Sequence, residues 1–171
     1  MSAAKHTTGY QIEQSDDSTI NLKLNEIIDE TTTFPMTFDF SIIQNLHIDC
    51  DHIQLLNSEG IKNWIVFSDY LSFFKNLSVF YHRCNRLVID QVNKTQNFIP
   101  NNGKVVSLKF PIFCESCEAS FEVFQEVDSL NTNKEELIQQ VSVPSCKEFP
   151  VCKKKWDLDF YENEFLSFLK R

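Results

Sequence analysis

Four cysteines in the C-terminal third fall as C-x2-C-x28-C-x5-C, at Cys114, Cys117, Cys146 and Cys152. Two cysteines separated by two residues can fold over one metal ion, with backbone N–H groups aimed at the thiolates. A second pair arriving from a distant segment then completes a tetrahedral four-thiolate site. Zinc in a structural role is the expectation, because the segment 114–171 is short for a robust core and gains from a metal staple. The first pair has regular knuckle spacing, while the gap in the second is unusual. Four thiolates leave no open position for water, which disfavours catalytic zinc; iron at the same sulfurs is an alternative. Two other readings stay open: reduced core thiols, and a redox or metal sensor using Cys114/Cys117. A redox C-x-x-C normally opens a helix that lowers its thiol pKa, whereas Ala119–Val127 reads as extended. Cys50 and Cys84 lie outside the cluster and read as small buried hydrophobes.

The remaining chemistry-bearing residues are sparse. His6, His47, His52 and His82 are scattered, and none pairs with a Cys or a carboxylate at ligand or triad spacing. His47-x-Asp49 and Asp51-His52 could form a polar cluster at the strand end, but a solvated strand edge fits them better. There is no G-x-x-x-x-G-K-[ST], G-x-G-x-x-G, G-x-S-x-G or H-E-x-x-H pattern, and 3 Gly in the whole chain leave little for a phosphate-cradling loop. Lys153-Lys154-Lys155-Trp156, beside the cysteines, could contact nucleic acid as a zinc ribbon does. The formal net charge of −8 opposes that reading and opposes docking on an anionic membrane. A solvated basic turn fits Lys153–Lys155 better.

The elements that must position these residues follow from periodicity. The 171 residues, 42% hydrophobic and 23% charged, suffice for one domain with a small appendage and a real core. Residues 1–17 lack hydrophobic periodicity and are expected to be flexible, with order beginning at Ser18. Ile20, Leu22 and Leu24 alternate with polar residues as in a half-buried strand running on to Ile27-Ile28. Ile42 through Ile48 reads as an inner strand before the turn at Asp49-Cys50-Asp51. From Asn57 the period changes: Ile61, Trp64, Ile65, Ser68, Leu71 and Phe74 recur at steps of three and four. Asn57 is a good N-cap, and Glu59 in the first turn is favoured by the helix dipole. Leu77–Tyr81 is a short strand, Asn85 can cap a second helix, and Val105–Phe110 is another strand. This order implies an α/β sandwich, with helices packed on a small, partly parallel sheet over residues 18–113. In 114–171, Phe121, Val123 and Val127 alternate as a hairpin arm would. Leu137, Ile138 and Val141 fit either a short helix or a strand. Phe160, Phe165, Leu166 and Leu169 lie on a terminal amphipathic helix expected to lid the cysteine module, with residual exposed surface available for a homodimer. No apolar run approaches membrane-spanning length and Met1–Ser18 is polar, so the expected compartment is the cytoplasm.

The segment Leu46–Trp64, LHIDCDHIQLLNSEGIKNW, resembles the STAS domain, the fold of anti-sigma factor antagonists and sulphate transporter tails. The shared pattern is a strand ending in Asp, an apolar turn, then Asn-Ser-x-Gly opening an amphipathic helix. Ile27-Ile28-Asp29-Glu30 after the first strand is similar as well, and the resemblance covers about residues 18–113. A bacterial STAS-like group with Gln91-x-Asn93, Asn97-Phe98, Ser107, Pro111 and a C-x-x-C is similar to this chain too. The family implies partner binding without catalysis. Antagonist members present a hydroxyl at this helix start to a kinase, and phosphate there blocks docking. Aligned on Gly60, the phosphorylated serine of the family falls on Glu59, the preceding serine on Ser58 and the leading aspartate on Asn57. Glu59 offers no hydroxyl, so the usual switch cannot operate there. Its single negative charge resembles a partial, permanent substitute for phosphoserine.

The sequence therefore leads to a non-enzymatic signalling or scaffold module. Asn57, Ser58, Glu59 and Gly60 are its partner-binding residues, an unidentified signalling protein is its partner, and Cys114, Cys117, Cys146 and Cys152 hold structural zinc.

Overall fold

A computed structural model describes residues 10–127, 132–141 and 157–170. Within them the chain is mixed α/β. Five strands form the main sheet: β1 (Tyr10–Asp16), β2 (Thr19–Leu24), β4 (Asn45–Asp49), β6 (Ser78–His82) and β7 (Gly103–Val105), in the spatial order β1-β2-β4-β6-β7. β1 pairs antiparallel with β2, and the remaining neighbours are parallel. Two short strands, β3 (Ile27–Ile28) and β5 (Leu55–Leu56), form a separate parallel pair. Parallel neighbours need crossover segments. α1 (Ser58–Ser72) supplies the one between β4 and β6, and α2 (Arg86–Lys94) the one between β6 and β7.

Alternation decides which face of the sheet is buried. Ile20, Leu22, Leu24, Leu46, Ile48, Val79, Tyr81 and Val105 are almost wholly buried. They pack with Trp64, Phe67 and Leu71 of α1 and Val88, Ile89 and Val92 of α2 in one apolar cluster. Trp64 is its centre: its ring stacks on Phe98 at 4.5 Å, and its Nε1 donates to the Phe98 carbonyl at 2.9 Å. The alternate positions Asn21, His47, Asp49, Phe80, His82 and Lys104 are half-buried on the opposite, polar face.

Order begins earlier than the expected Ser18. β1 runs through the segment read as flexible, zipped to β2 from Tyr10↔Leu24 onward. Its side chains are nearly all exposed, so it has no buried face to leave a period in the sequence. What holds it is backbone pairing and the turn, where Asp16 Oδ1 accepts from Ser18 N and Oγ.

Beyond β7 the chain forms a hairpin of β8 (Ser107–Cys114) and β9 (Ala119–Glu126), with the short strand β10 (Asp157–Leu158) on the other edge of β8. α3 (Lys134–Gln140) settles the ambiguous segment as helix, capped by Asn133 Oδ1 accepting from Glu136 N at 2.8 Å. The terminal helix α4 (Glu162–Phe165), continued by a 3-10 turn (Ser167–Lys170), packs on α2. Asn93 Nδ2 of α2 donates to the carbonyls of Glu164 and Phe165, both at 2.9 Å. Phe165, Leu166 and Phe168, with Val127, Leu137 and Val141, join the same buried cluster as the main sheet. β8 thus runs through the expected boundary at 113/114, and the terminal helix closes over α2 and Phe110 of β8. A satellite cluster of Ile112, Cys114, Cys117, Ala119, Val123 and Leu158 sits at the cysteine end of the hairpin. Among the described residues no helix is long and apolar enough to cross a membrane.

Candidate functional site

The mouth of α1 is built by residues from two sequence-distant pieces. The side chain of Asn57 caps the helix, its Oδ1 accepting from Gly60 N at 2.8 Å, while its Nδ2 donates to Glu30 Oε2 at 2.9 Å. Asn57 N donates to the Ile28 carbonyl at 3.2 Å. Gly60 is buried hard against the same carbonyl: a Cβ there would lie 2.1 Å from Ile28 O. One turn further, Asn63 Nδ2 donates to the Asp29 and Thr32 carbonyls at 3.4 and 3.3 Å. The β3–β5 pairing thus seats the helix start on the loop Ile28–Thr32.

This leaves Ser58 and Glu59 exposed at the rim. Glu59 pairs with Lys62 at 2.6 Å, both side chains well exposed. Such a pair contributes little to stability, and Lys62 offsets part of the charge assigned to Glu59. Asp29 and Glu30 add two carboxylates beside it. Asp29 Oδ1 accepts from Thr31 Oγ1 at 2.7 Å and Thr31 N at 2.9 Å; these bonds hold its carboxyl below the usual range, so it stays ionised at neutral pH. The rim therefore carries Asp29, Glu30 and Glu59 against Lys62, and its balance is acidic. Of the four expected docking residues, Ser58 and Glu59 are presented to solvent. Asn57 is half-buried as the cap and Gly60 is covered.

The cysteines divide. Cys114 ends β8 and is buried, and Cys117 is half-buried in the turn to β9. Cys117 N donates to the Cys114 carbonyl at 3.1 Å, so the chain doubles back between them. Glu118 completes the turn in the left-handed region at φ 52°. The turn leads into β9 and not into a helix, so a helix N-terminus that would activate a redox thiol is not in place there. Cys146, Cys152 and the Lys153–Trp156 stretch lie outside the described residues. Among the described residues, no group of three or more His, Cys, Asp or Glu side chains converges to hold a metal ion. Cys50 and Cys84 are fully buried, and burial pushes the Cys50 thiol well above its ordinary pKa.

A second cluster is only half legible in the sequence: His47, Asp49 and Asp51 do gather at the strand end, but with His82, Arg83 and Lys109. On the polar face of the sheet, His47 Nδ1 and His82 Nε2 are 2.8 Å apart. His47 stacks on Phe80 at 4.9 Å, and Lys104 Nζ lies 5.5 Å from the centroid of the Phe80 ring. Beside the histidines, Arg83 grips Asp49 through two nitrogens. Lys109 Nζ binds Asp51 at 2.5 Å and Glu122 at 3.3 Å, tying the β4 end to the hairpin. The Lys109 hydrogen bond holds the Asp51 carboxyl below its ordinary pKa. Arg83 takes φ 52°, with its N–H donating to Ser107 Oγ at 2.8 Å. The sequence signals for this cluster are the His47-x-Asp49 and Asp51-His52 pairs and the polar phase of two alternating strands; the strand register brings the histidines together.

Neither protein-family models, curated proteins nor solved structures yield a match to this chain.

Proposed function

We propose that the protein is a non-enzymatic docking module of STAS-like type that binds a signalling protein through the mouth of α1. One observation carries the reading. The two pieces that bear the resemblance, Ile27–Glu30 and Asn57–Gly60, lie 27 residues or more apart yet meet in space, through the Asn57–Glu30 hydrogen bond and Gly60 on the Ile28 carbonyl. A helix start pinned in this way holds Ser58 and Glu59 outward without an ordering cost on binding, which favours recognition. The acidic balance of Asp29, Glu30 and Glu59 against Lys62 suits a partner surface rich in Lys or Arg, chiefly by steering encounter.

The cysteine end serves as a clasp in this proposal. Cys114 and Cys117 come from the doubled-back hairpin tip, Cys146 and Cys152 complete a structural zinc site, and the metal orders the C-terminal segment without performing a reaction. Metal analysis of the purified chain should find one zinc per protein, lost on Cys146→Ser; a metal-free wild-type chain that is fully folded overturns the clasp.

The docking reading is tested by capture with wild-type and Glu59→Lys baits side by side. A partner retained by the wild type and lost by Glu59→Lys, with the variant's unfolding curve unchanged, is the expected result. Identical retained sets contradict it.

A further inference from the structure

The polar face of the main sheet carries a histidine pair that the docking reading leaves unused. His47 is opposite Phe80 and His82 opposite Asp49 in the parallel β4–β6 register, so the two imidazoles are diagonal neighbours on one face. Their rings are tilted at 35°, with centroids 5.0 Å apart, and His47 Nδ1 and His82 Nε2 are hydrogen-bonded at 2.8 Å. One ring must donate in that contact and the other accept. His82 also stands between two cavities. One, of about 550 Å³, is lined by Glu13, Lys23, His47 and Asp49; the other, of about 450 Å³, by Glu126, Thr132 and Gln140. His82, Ser107 and Phe124 line both and form the wall that they share.

Counting protons shows what this contact can bear. The neutral pair carries two ring protons on four nitrogens, one of them in the contact. A first added proton goes to the far nitrogen of the donating ring, and the contact survives as a charge-assisted hydrogen bond. A second added proton finds only the accepting nitrogen of the contact, which would set two N–H groups of two charged rings head to head at 2.8 Å. We propose that the pair is a proton-operated latch: with no added proton or one it holds His82 in the wall between the cavities, and the second proton drives His82 off His47 and toward Glu126 of β9, joining the two cavities. Asp49 is not the acceptor because Arg83 already grips it. The charges facing the pair come from every neighbouring strand: Glu13 of β1, Lys23 of β2, Asp49 of β4, Arg83 after β6, Lys104 over Phe80 and Glu126 of β9. On β8, Lys109 is engaged by Asp51 and Glu122. Cations and anions nearly balance, so repulsion within the pair governs the second step. Burial lowers both rings from the ordinary histidine pKa; at His82 the charges of His47 and Arg83 add to this and those of Asp49 and Glu126 oppose it. Both folded-state values thus lie below the unfolded value of 6.5, so stability held above that pH is lost as pH falls through the folded values.

NMR of the histidine rings in the full chain, followed from about pH 8 to about pH 4.5 across the histidine range, tests this. His47 and His82 should titrate together in two steps separated by more than about one pH unit, as strongly interacting groups do. The ring-to-ring Overhauser signal should vanish only in the second step, and the Ser107 and Phe124 amides should shift in that same step. His82 in His47→Gln, and His47 in His82→Gln, should each titrate in one step, with the His52 signal unmoved. Urea midpoints give an independent reading: the drop from about pH 8 to about pH 5 should be larger in the wild type than in His47→Gln. A single shared step, a ring-to-ring signal that persists once both rings are charged, or equal midpoint drops in the two proteins would overturn the latch.

Discussion

Gly60 shows how much one residue can decide. In the sequence it is only the last letter of Asn-Ser-x-Gly; in the fold it is where the α1 backbone meets the Ile28 carbonyl. Any side chain there must push the helix start away, and overpacking of this kind costs about 1–3 kcal/mol or more. Gly60→Ala should therefore lower the stability read from urea unfolding by that amount and expose the Ile28 amide region to faster hydrogen exchange. An unchanged urea midpoint would show that the contact is looser than described. Asp51 makes a different prediction. Its folded-state pKa is depressed below 3.8, chiefly by the Lys109 hydrogen bond. The ion pair thus stabilises the fold above that pH, and the contribution drains away as pH falls through the folded-state value. Stability measured between pH 5 and strongly acidic pH should fall less steeply in Asp51→Asn than in the wild type. Parallel curves would remove Asp51 from the linkage.

At the scale of elements, the legible parts were those with a buried face. Ile20, Leu22 and Leu24 announced β2 by alternation, and Asn57 and Asn85 announced the starts of α1 and α2 because an amide side chain there satisfies an otherwise orphaned N–H. Both asparagines do so in the structure. β1 was illegible because an edge strand exposed on both faces leaves no period. The His47–His82 pair was illegible because it depends on register between strands, with the two residues 35 positions apart in the chain, and no local pattern encodes register. The resemblance supplied the α1 mouth as a place, but not the reason Gly60 is needed there. Trp64 tests the element packing: it touches Phe98, Tyr81 and Phe34 across three separate segments. Trp64→Ala should destabilise by about 3–5 kcal/mol, read from chemical denaturation. A loss below about 1 kcal/mol, far short of an ordinary core truncation, would mean that the helix–sheet interface does not depend on it.

For the whole molecule, the described parts of the C-terminal segment are built into the main core. Phe165, Leu166 and Phe168 share one buried cluster with the sheet, and Phe165 lies 5.9 Å from the Phe110 ring on β8. Such sharing couples the unfolding of both parts. Phe165→Ala should lower stability by about 3–5 kcal/mol and keep fluorescence and circular-dichroism transitions coincident. Two separated transitions would mean that the cysteine-bearing segment unfolds by itself. A single core would also transmit the loss of the proposed zinc clasp at the hairpin tip to α2.

The proposed docking at the α1 mouth is tested most directly by placing a photo-reactive residue at position 58 or, as a control on exposed surface, at position 75, and crosslinking in extract. A docking surface at the α1 mouth should give one discrete crosslinked species from position 58, absent from position 75 and abolished by Glu59→Lys. Equal crosslinking from both positions, or a species indifferent to Glu59→Lys, would contradict it.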